Sequence, residues 1–336
     1  MEIKRRLDWI DICKFLSITL VICLHFGVPH FIDSFVHLFH MPIFFFLSGL
    51  CLRPEKFQSF SEFSSNRARR LLQPYFIVAI LFYLFWTLIH YLFLPERVVS
   101  LPLFLRSLLW TNTTAIQYLW GGVQWFLTSL FFCEMIFFIL YKFSVKPIIV
   151  TVICTGISLV TIFVSSSINI RLPLALDTAF VALAFYCFGF YFRKISVENF
   201  HITKDIFCFF LSLILTIIFF FFTRTTNLRT MNFGRIWILY LPGGLFGSLS
   251  IVFAGNILDK IITNVSFRNC LLLLGRNTLF LLYSHRLYDG IDKTILYLAG
   301  ISFASINKYV YYTLMVVIFL IISIPILNIW EKHKNK

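Results

Sequence analysis

Ten apolar stretches, each close to twenty residues long, follow one another along a chain of 336 residues. They cover 10–28, 34–52, 74–95, 123–142, 147–165, 172–192, 205–223, 235–256, 270–288 and 307–329. A helix rising ~1.5 Å per residue needs about 20 apolar residues to cross the hydrocarbon core of a bilayer. Inside lipid each backbone N–H and C=O has to be satisfied within the protein, and runs of this length select helices. The expected fold is an all-α integral membrane protein of about ten transmembrane helices, forming one polytopic domain over 1–336. Composition agrees. Hydrophobic residues make up 59% and charged residues 13%, where a soluble domain carries about a quarter charged.

The net charge of +14 would suit nucleic acid, but the basic residues sit in short segments between apolar stretches. They set topology instead, and no nucleic-acid partner is expected. Lys and Arg gather on the side that holds both ends of the chain, as at Arg53, Lys56, Arg67, Arg69 and Arg70. The positive-inside rule then makes both termini cytoplasmic. Arg97, Pro102 and Arg106 argue against a crossing at 97–121, which reads as an outer loop with an interfacial helix. The basic start MEIKRR leads into Asp8, Asp11 and Lys14 without a small-residue cleavage site, so the first stretch is expected to stay as a span. None of the eight cysteines forms a C-x-x-C pair, so no disulfide framework and no metal site is expected.

Ionisable residues inside spans are costly and mark functional sites. The first span, DICKFLSITLVICLH, places Asp11, Lys14 and His25 on one helical face. Asp11 and His25 differ by about 40°, Lys14 and His25 by about 20°, and His25 lies roughly 16 Å beyond Lys14. Asp11 and Lys14 read either as an interfacial pair or as part of a polar passage. His25 reads as a packed histidine or as a general base, the side chain best matched to proton exchange near neutral pH. The second span adds His37, His40, Pro42, Ser48 and Gly49; Glu134, Asp177, Arg276, His285 and Arg286 follow. The topology puts His25, His40, Asp177 and His285 toward the outer half, with Lys14 and Arg276 toward the inner half. A polar passage across the bilayer is the expectation.

Arg67, Arg69 and Arg70 precede the span that starts at Pro74. They serve topology, or they clamp an anion, since guanidinium forks bind phosphates bidentately. No G-x-x-x-x-G-K-[ST] and no G-x-G-x-x-G is present, so nucleotide hydrolysis and dinucleotide binding are unsupported. Trp110, Tyr118, Trp120 and Trp125 read as an interfacial aromatic belt or as rings that pack on a sugar.

These residues resemble the bacterial membrane acyltransferase 3 family, in its fucose 4-O-acetylase-like branch. A basic residue followed after ten positions by a histidine matches at Lys14 and His25, and the family's second-span signature matches as FHMPIFFFLSG, Phe39 to Gly49. The runs RARRLLQPY, QWFLTSLF with Glu134, LPLALDTAF with Asp177 and LLGRNTLFLLYSH ending at His285 are similar to later family blocks, in the same order. Many members have Arg where this chain has Lys14.

The resemblance implies transfer of an acyl group, usually acetyl, from cytoplasmic acetyl-CoA to a carbohydrate hydroxyl at the outer face of the bacterial cytoplasmic (inner) membrane. Acetyl-CoA is then a donor substrate, and no metal or prosthetic group is expected. The acceptor is a cell-envelope or exported polysaccharide: O-antigen, capsule or exopolysaccharide. The family's essential first-span histidine carries over to His25, and its R-x-R contacts to CoA phosphates carry over to Arg67 and Arg69, with Arg70 and Lys14 beside them. Glu134 is expected to orient His25 or relay its proton; Asp11, His40, Ser48, Asp177 and His285 are supporting or acceptor-side residues. The rival reading is a transporter or flippase of a lipid-linked saccharide, and a third is a non-catalytic assembly subunit. The sequence sets no oligomeric state.

Overall fold

The structure is a computed structural model that describes residues 7–94, 98–111, 123–143, 146–168, 171–196, 201–300 and 307–334. Among the described residues the elements are helices, apart from one β-bridge between Asn227 and Asn232. Nine helices among them are long and apolar enough to cross a membrane.

Local chemistry sets the helix ends. α1 (Asp8–Phe26) stops at Gly27, whose φ of 132° suits glycine alone, and the Gly27 N–H closes on the Cys23 carbonyl at 2.9 Å. Pro29 precedes α2 (His30–His37). The second expected span is present as one stretch, His30–Cys51, in which a turn over 38–41 joins α2 to α3 (Pro42–Cys51), where Pro42 has no N–H to continue the ladder. The third begins earlier than expected, at α4 (Phe60–Arg67). There the Ser59 hydroxyl accepts from the Glu62 N–H at 3.1 Å, and the Glu62 carboxylate accepts from the Gln58 N–H at 2.8 Å. α4 continues through a π-helical turn, Ala68–Leu72, into α5 (Gln73–Phe93). Pro74 accounts for that wide turn: it donates nothing, its ring crowds the carbonyl four residues back, and Gln73 N–H reaches the Ala68 carbonyl five back.

α6 (Leu101–Leu109) falls in the expected outer loop and, at about 14 Å, is too short to cross. Residues 112–122 of that loop, with Tyr118 and Trp120, lie outside the described residues. α7 (Trp125–Phe143), α8 (Pro147–Ser167), α9 (Leu176–Ser196), α10 (Ile202–Thr223) and α11 (Tyr240–Ile261) fall on expected spans. The stretch 270–288 does not form the single span that its hydropathy suggested. It breaks at Asn277 into α12 (Val265–Arg276) and α13 (Thr278–Leu298), and the Asn277 amide donates to the Leu273 carbonyl at 2.8 Å. With Arg286, Asp289, Asp292 and Lys293, α13 carries too much charge to count as an apolar span. α14 (Lys308–Lys334) covers the last expected span.

The chain divides into two compact units. The first comprises Met1–Phe44, Val197–Arg224 and Pro242–Lys336, and the second Phe45–Ser196 and Thr225–Leu241. In the first unit α1 is held at backbone distance. A Cβ on Gly275 of α12 would lie 1.9 Å from the Asp11 carbonyl oxygen, and one on Gly255 of α11 would lie 2.3 Å from Cys13 Sγ. Glycine at such contacts lets spanning helices gain dispersion where lipid supplies no hydrophobic drive.

In the second unit α9 packs on both α7 and α8. The Ser158 hydroxyl donates to the Phe180 carbonyl at 3.0 Å and accepts from the Ala184 N–H at 3.1 Å. Phe137 sets its ring against Tyr186 and Phe190, and Phe63 stacks on Phe138 at 4.1 Å. Leu81, Leu84 and Leu88 of α5 are exposed, an apolar face fit for lipid.

Candidate active site

The first unit carries ionisable groups at both ends of α1. Near its N-terminus Asp11, 1% exposed, accepts from Lys14 Nζ and from Arg276 Nε, both at 3.3 Å. Asp8 lies 3.0 Å from Arg268 Nη2 and 3.7 Å from Arg276 Nη2, and Arg268 also reaches Asp259 at 2.5 Å. Asp11 is therefore a buried carboxylate shared by two cations, which is more than the interfacial pair that was one of the two sequence readings. Its second partner comes from α12, which only the tertiary fold supplies.

At the other end, half-buried His25 meets α13. Its ring centroid lies 5.1 Å from that of His285, and its Nδ1 lies 3.5 Å from Arg286 Nη1. His285 is fully buried, and its Nδ1 is 2.9 Å from the Leu281 carbonyl. Arg286 in turn lies 3.3 Å from Asp289, which Lys293 approaches at 2.8 Å. The shared face expected of Asp11, Lys14 and His25 is present, looking toward α12 at one end and α13 at the other.

His40 sits in the turn between α2 and α3, with Nδ1 3.1 Å from the Val36 carbonyl and its ring 4.7 Å from that of His37. The carbonyl accepts the Nδ1–H hydrogen bond, so this histidine is tied down by its own turn. The first unit also holds a buried group that the sequence reading overlooked. Asp205 on α10 accepts from Asn256 at 2.9 Å and from Lys260 at 2.5 Å, both on α11. The signal was there: an acid at the start of one apolar span, with an amide and a lysine at the end of the next.

The second unit gathers Arg67 and Glu134. Arg67 Nε lies 3.2 Å from Glu134 Oε2, and the Tyr186 hydroxyl donates to Glu134 Oε1 at 3.4 Å. The guanidinium also stands over the rings of Phe63 and Phe57, at 5.3 and 6.0 Å. Glu134, 3% exposed, thus has its partners in the arginine of the R-x-R run and a tyrosine of α9. Within this unit its work is to hold Arg67. Arg69 and Arg70, on the π-helical turn, are exposed. Such wide turns recur at functional sites.

Asp177 caps the start of α9 by accepting from the Thr178 N–H at 2.9 Å, and it holds Arg171 Nε at 2.7 Å. Arg171 donates onward to the Arg229 carbonyl at 2.7 Å, so this carboxylate organises a loop. Ser48 is half-buried beside Gly49. Trp125 is only 4% exposed, which places it in the interior of its unit and not on an exposed aromatic belt. Among the described residues no cluster of His, Cys, Asp and Glu could hold a metal ion.

The first unit thus gathers an imidazole–guanidinium group around His25, and the second an arginine group around Glu134. No curated protein and no solved structure matches the chain. A family model described as an acyltransferase domain matches residues 7–328, nearly the whole length. The chain belongs to the acyltransferase 3 family and is a multi-pass membrane acyltransferase.

Proposed function

We propose that this protein is an O-acyltransferase of the bacterial cytoplasmic membrane, moving an acetyl group from cytoplasmic acetyl-CoA to a hydroxyl of a cell-envelope or exported polysaccharide. The observation that carries the reading is His25. It is a histidine within a spanning helix, faced by a second imidazole at 5.1 Å and a guanidinium at 3.5 Å. Histidine takes or passes a proton near neutral pH, and its nitrogen also accepts an acyl group. His25 therefore serves the transfer itself, as base or as acyl carrier.

Arg69 and Arg70, exposed on the π-helical turn, suit the CoA phosphates, which guanidinium groups bind bidentately. Arg67 joins them with its direction fixed by Glu134. Lys14 and the termini lie on the cytoplasmic side in this reading.

The test uses inverted membrane vesicles carrying wild type or His25→Ala at matched levels, radiolabelled acetyl-CoA and glycolipid from the host strain. Label enters saccharide with wild type and falls by about 10²- to 10⁴-fold with His25→Ala. Normal turnover in the variant removes His25 from the centre. No label above empty vesicles, with a verified acceptor pool, favours transport of a lipid-linked saccharide.

A further inference from the structure

Two buried polar atoms next to His25 have no hydrogen-bond partner among the described residues, Nε2 of His285 and Nε of Arg286. They are of opposite kinds. His285 Nδ1 faces the Leu281 carbonyl at 2.9 Å; a carbonyl only accepts, so Nδ1 carries the proton and Nε2 presents a lone pair. Arg286 Nε always bears a hydrogen, and a guanidinium accepts nothing. Nη1 of that guanidinium is already engaged, 3.3 Å from Asp289 and 3.5 Å from His25. Both side chains converge on His25 although they come from successive residues of α13.

Buried polar groups are almost always satisfied, and an orphaned acceptor and an orphaned donor on side chains that both reach His25 call for a ligand that offers one of each. A carboxylate offers only acceptors, and an ammonium offers only donors. An alcohol offers one of each on a single oxygen.

We propose that His285 and Arg286 form the subsite for the acceptor's hydroxyl, which accepts from Arg286 Nε–H and donates to His285 Nε2. The proposal rests on the acyl-transfer reading and adds what that reading lacks: the group that receives the hydroxyl and its proton. In the transfer step the O–H bond breaks and its proton passes to His285 Nε2. The oxygen forms its new bond to the acyl carbon. The bond from that carbon to its leaving atom, thioester sulfur or acyl-imidazole nitrogen, breaks with its electron pair. His25, touched by both side chains, then serves the acyl group.

The test uses the full chain in nanodiscs, with acetyl-CoA as donor and host glycolipid as acceptor. His285→Gln keeps size and polarity but cannot take the proton. It should lower kcat by about 10²- to 10⁴-fold while the KM for acetyl-CoA stays within about twofold. Arg286→Lys keeps a cation for Asp289 but loses the Nε–H, and the KM for glycolipid should rise roughly tenfold to a hundredfold. His285→Ala should regain turnover when 4-methylimidazole is added, which a packing role would not produce.

Equal changes in both KM values, or unchanged kcat in His285→Gln, overturn the subsite and leave the two atoms to a structural water. A wild type that transfers no label overturns the acyl-transfer reading instead. An active wild type with normal kinetics in both variants sinks the subsite alone.

Discussion

Gly49 and Gly189 face each other across α3 and α9, and each touches the backbone of the opposite helix. A Cβ on Gly49 would lie 2.0 Å from the Tyr186 carbonyl oxygen, and one on Gly189 would lie 2.0 Å from that of Phe46. Ordinary contact begins at 3.4 Å, so Gly49→Ala leaves a deficit of about 1.4 Å. The obstacle is a hydrogen-bonded backbone carbonyl, which has no rotamer to swing aside. The helices must part instead, and a gap of 0.5–1 Å already forfeits about a quarter to a half of each dispersion well along the seam. Overpacking of this kind costs about 1–3 kcal/mol, with Gly49→Ala at the upper end. At roughly 2–4 °C per kcal/mol for a unit of this size, the apparent Tm in detergent should fall by about 4–12 °C. Unfolding of such proteins is often irreversible, so wild type and variants are compared at one scan rate. Gly49→Ala with Gly189→Ala should cost clearly less than the sum of the single changes, because helices already separated accommodate the second methyl. An unchanged Tm for Gly49→Ala, or strict additivity of the pair, would refute the close-contact reasoning.

Glu134→Ala strands the Arg67 guanidinium in the interior of the second unit and should cost about 3–5 kcal/mol. Adding Arg67→Met should restore most of that stability, by thermal melts, without restoring acetyl transfer; recovery of transfer would remove Arg67 from donor binding. Asp11→Asn withdraws the carboxylate from Lys14 and Arg276 and should cost roughly 1.5–3 kcal/mol, with a lower Tm that added salt does little to change because the carboxylate is buried. Asp205→Asn should behave similarly in its contact with Lys260, yet leave transfer kinetics at wild-type values, which the labelled acetyl-CoA assay reads directly.

What the sequence determined by itself is the part of the problem that is local along the chain. Hydropathy over twenty residues locates spans because a bilayer tests each segment for unsatisfied backbone and for apolar length, one segment at a time. Helical periodicity placed Asp11, Lys14 and His25 on one face, and the order of short motifs carried the family. The break at Asn277 escaped that reading because the runs on either side of Gly275–Thr278, Leu271–Leu274 and Leu279–Leu282, are apolar. What stops the helix there is an amide turned to the Leu273 carbonyl and to Glu331 of α14.

Only the tertiary structure decided which charge answers which. Nothing in the sequence pairs Glu134 with Arg67 and Tyr186; the packing of α4, α7 and α9 within the second unit does. His25 and Arg286 stand 261 residues apart in sequence. Pairing inside a membrane follows from which faces close over one another, since an ionisable group there is tolerated only where another helix brings its complement.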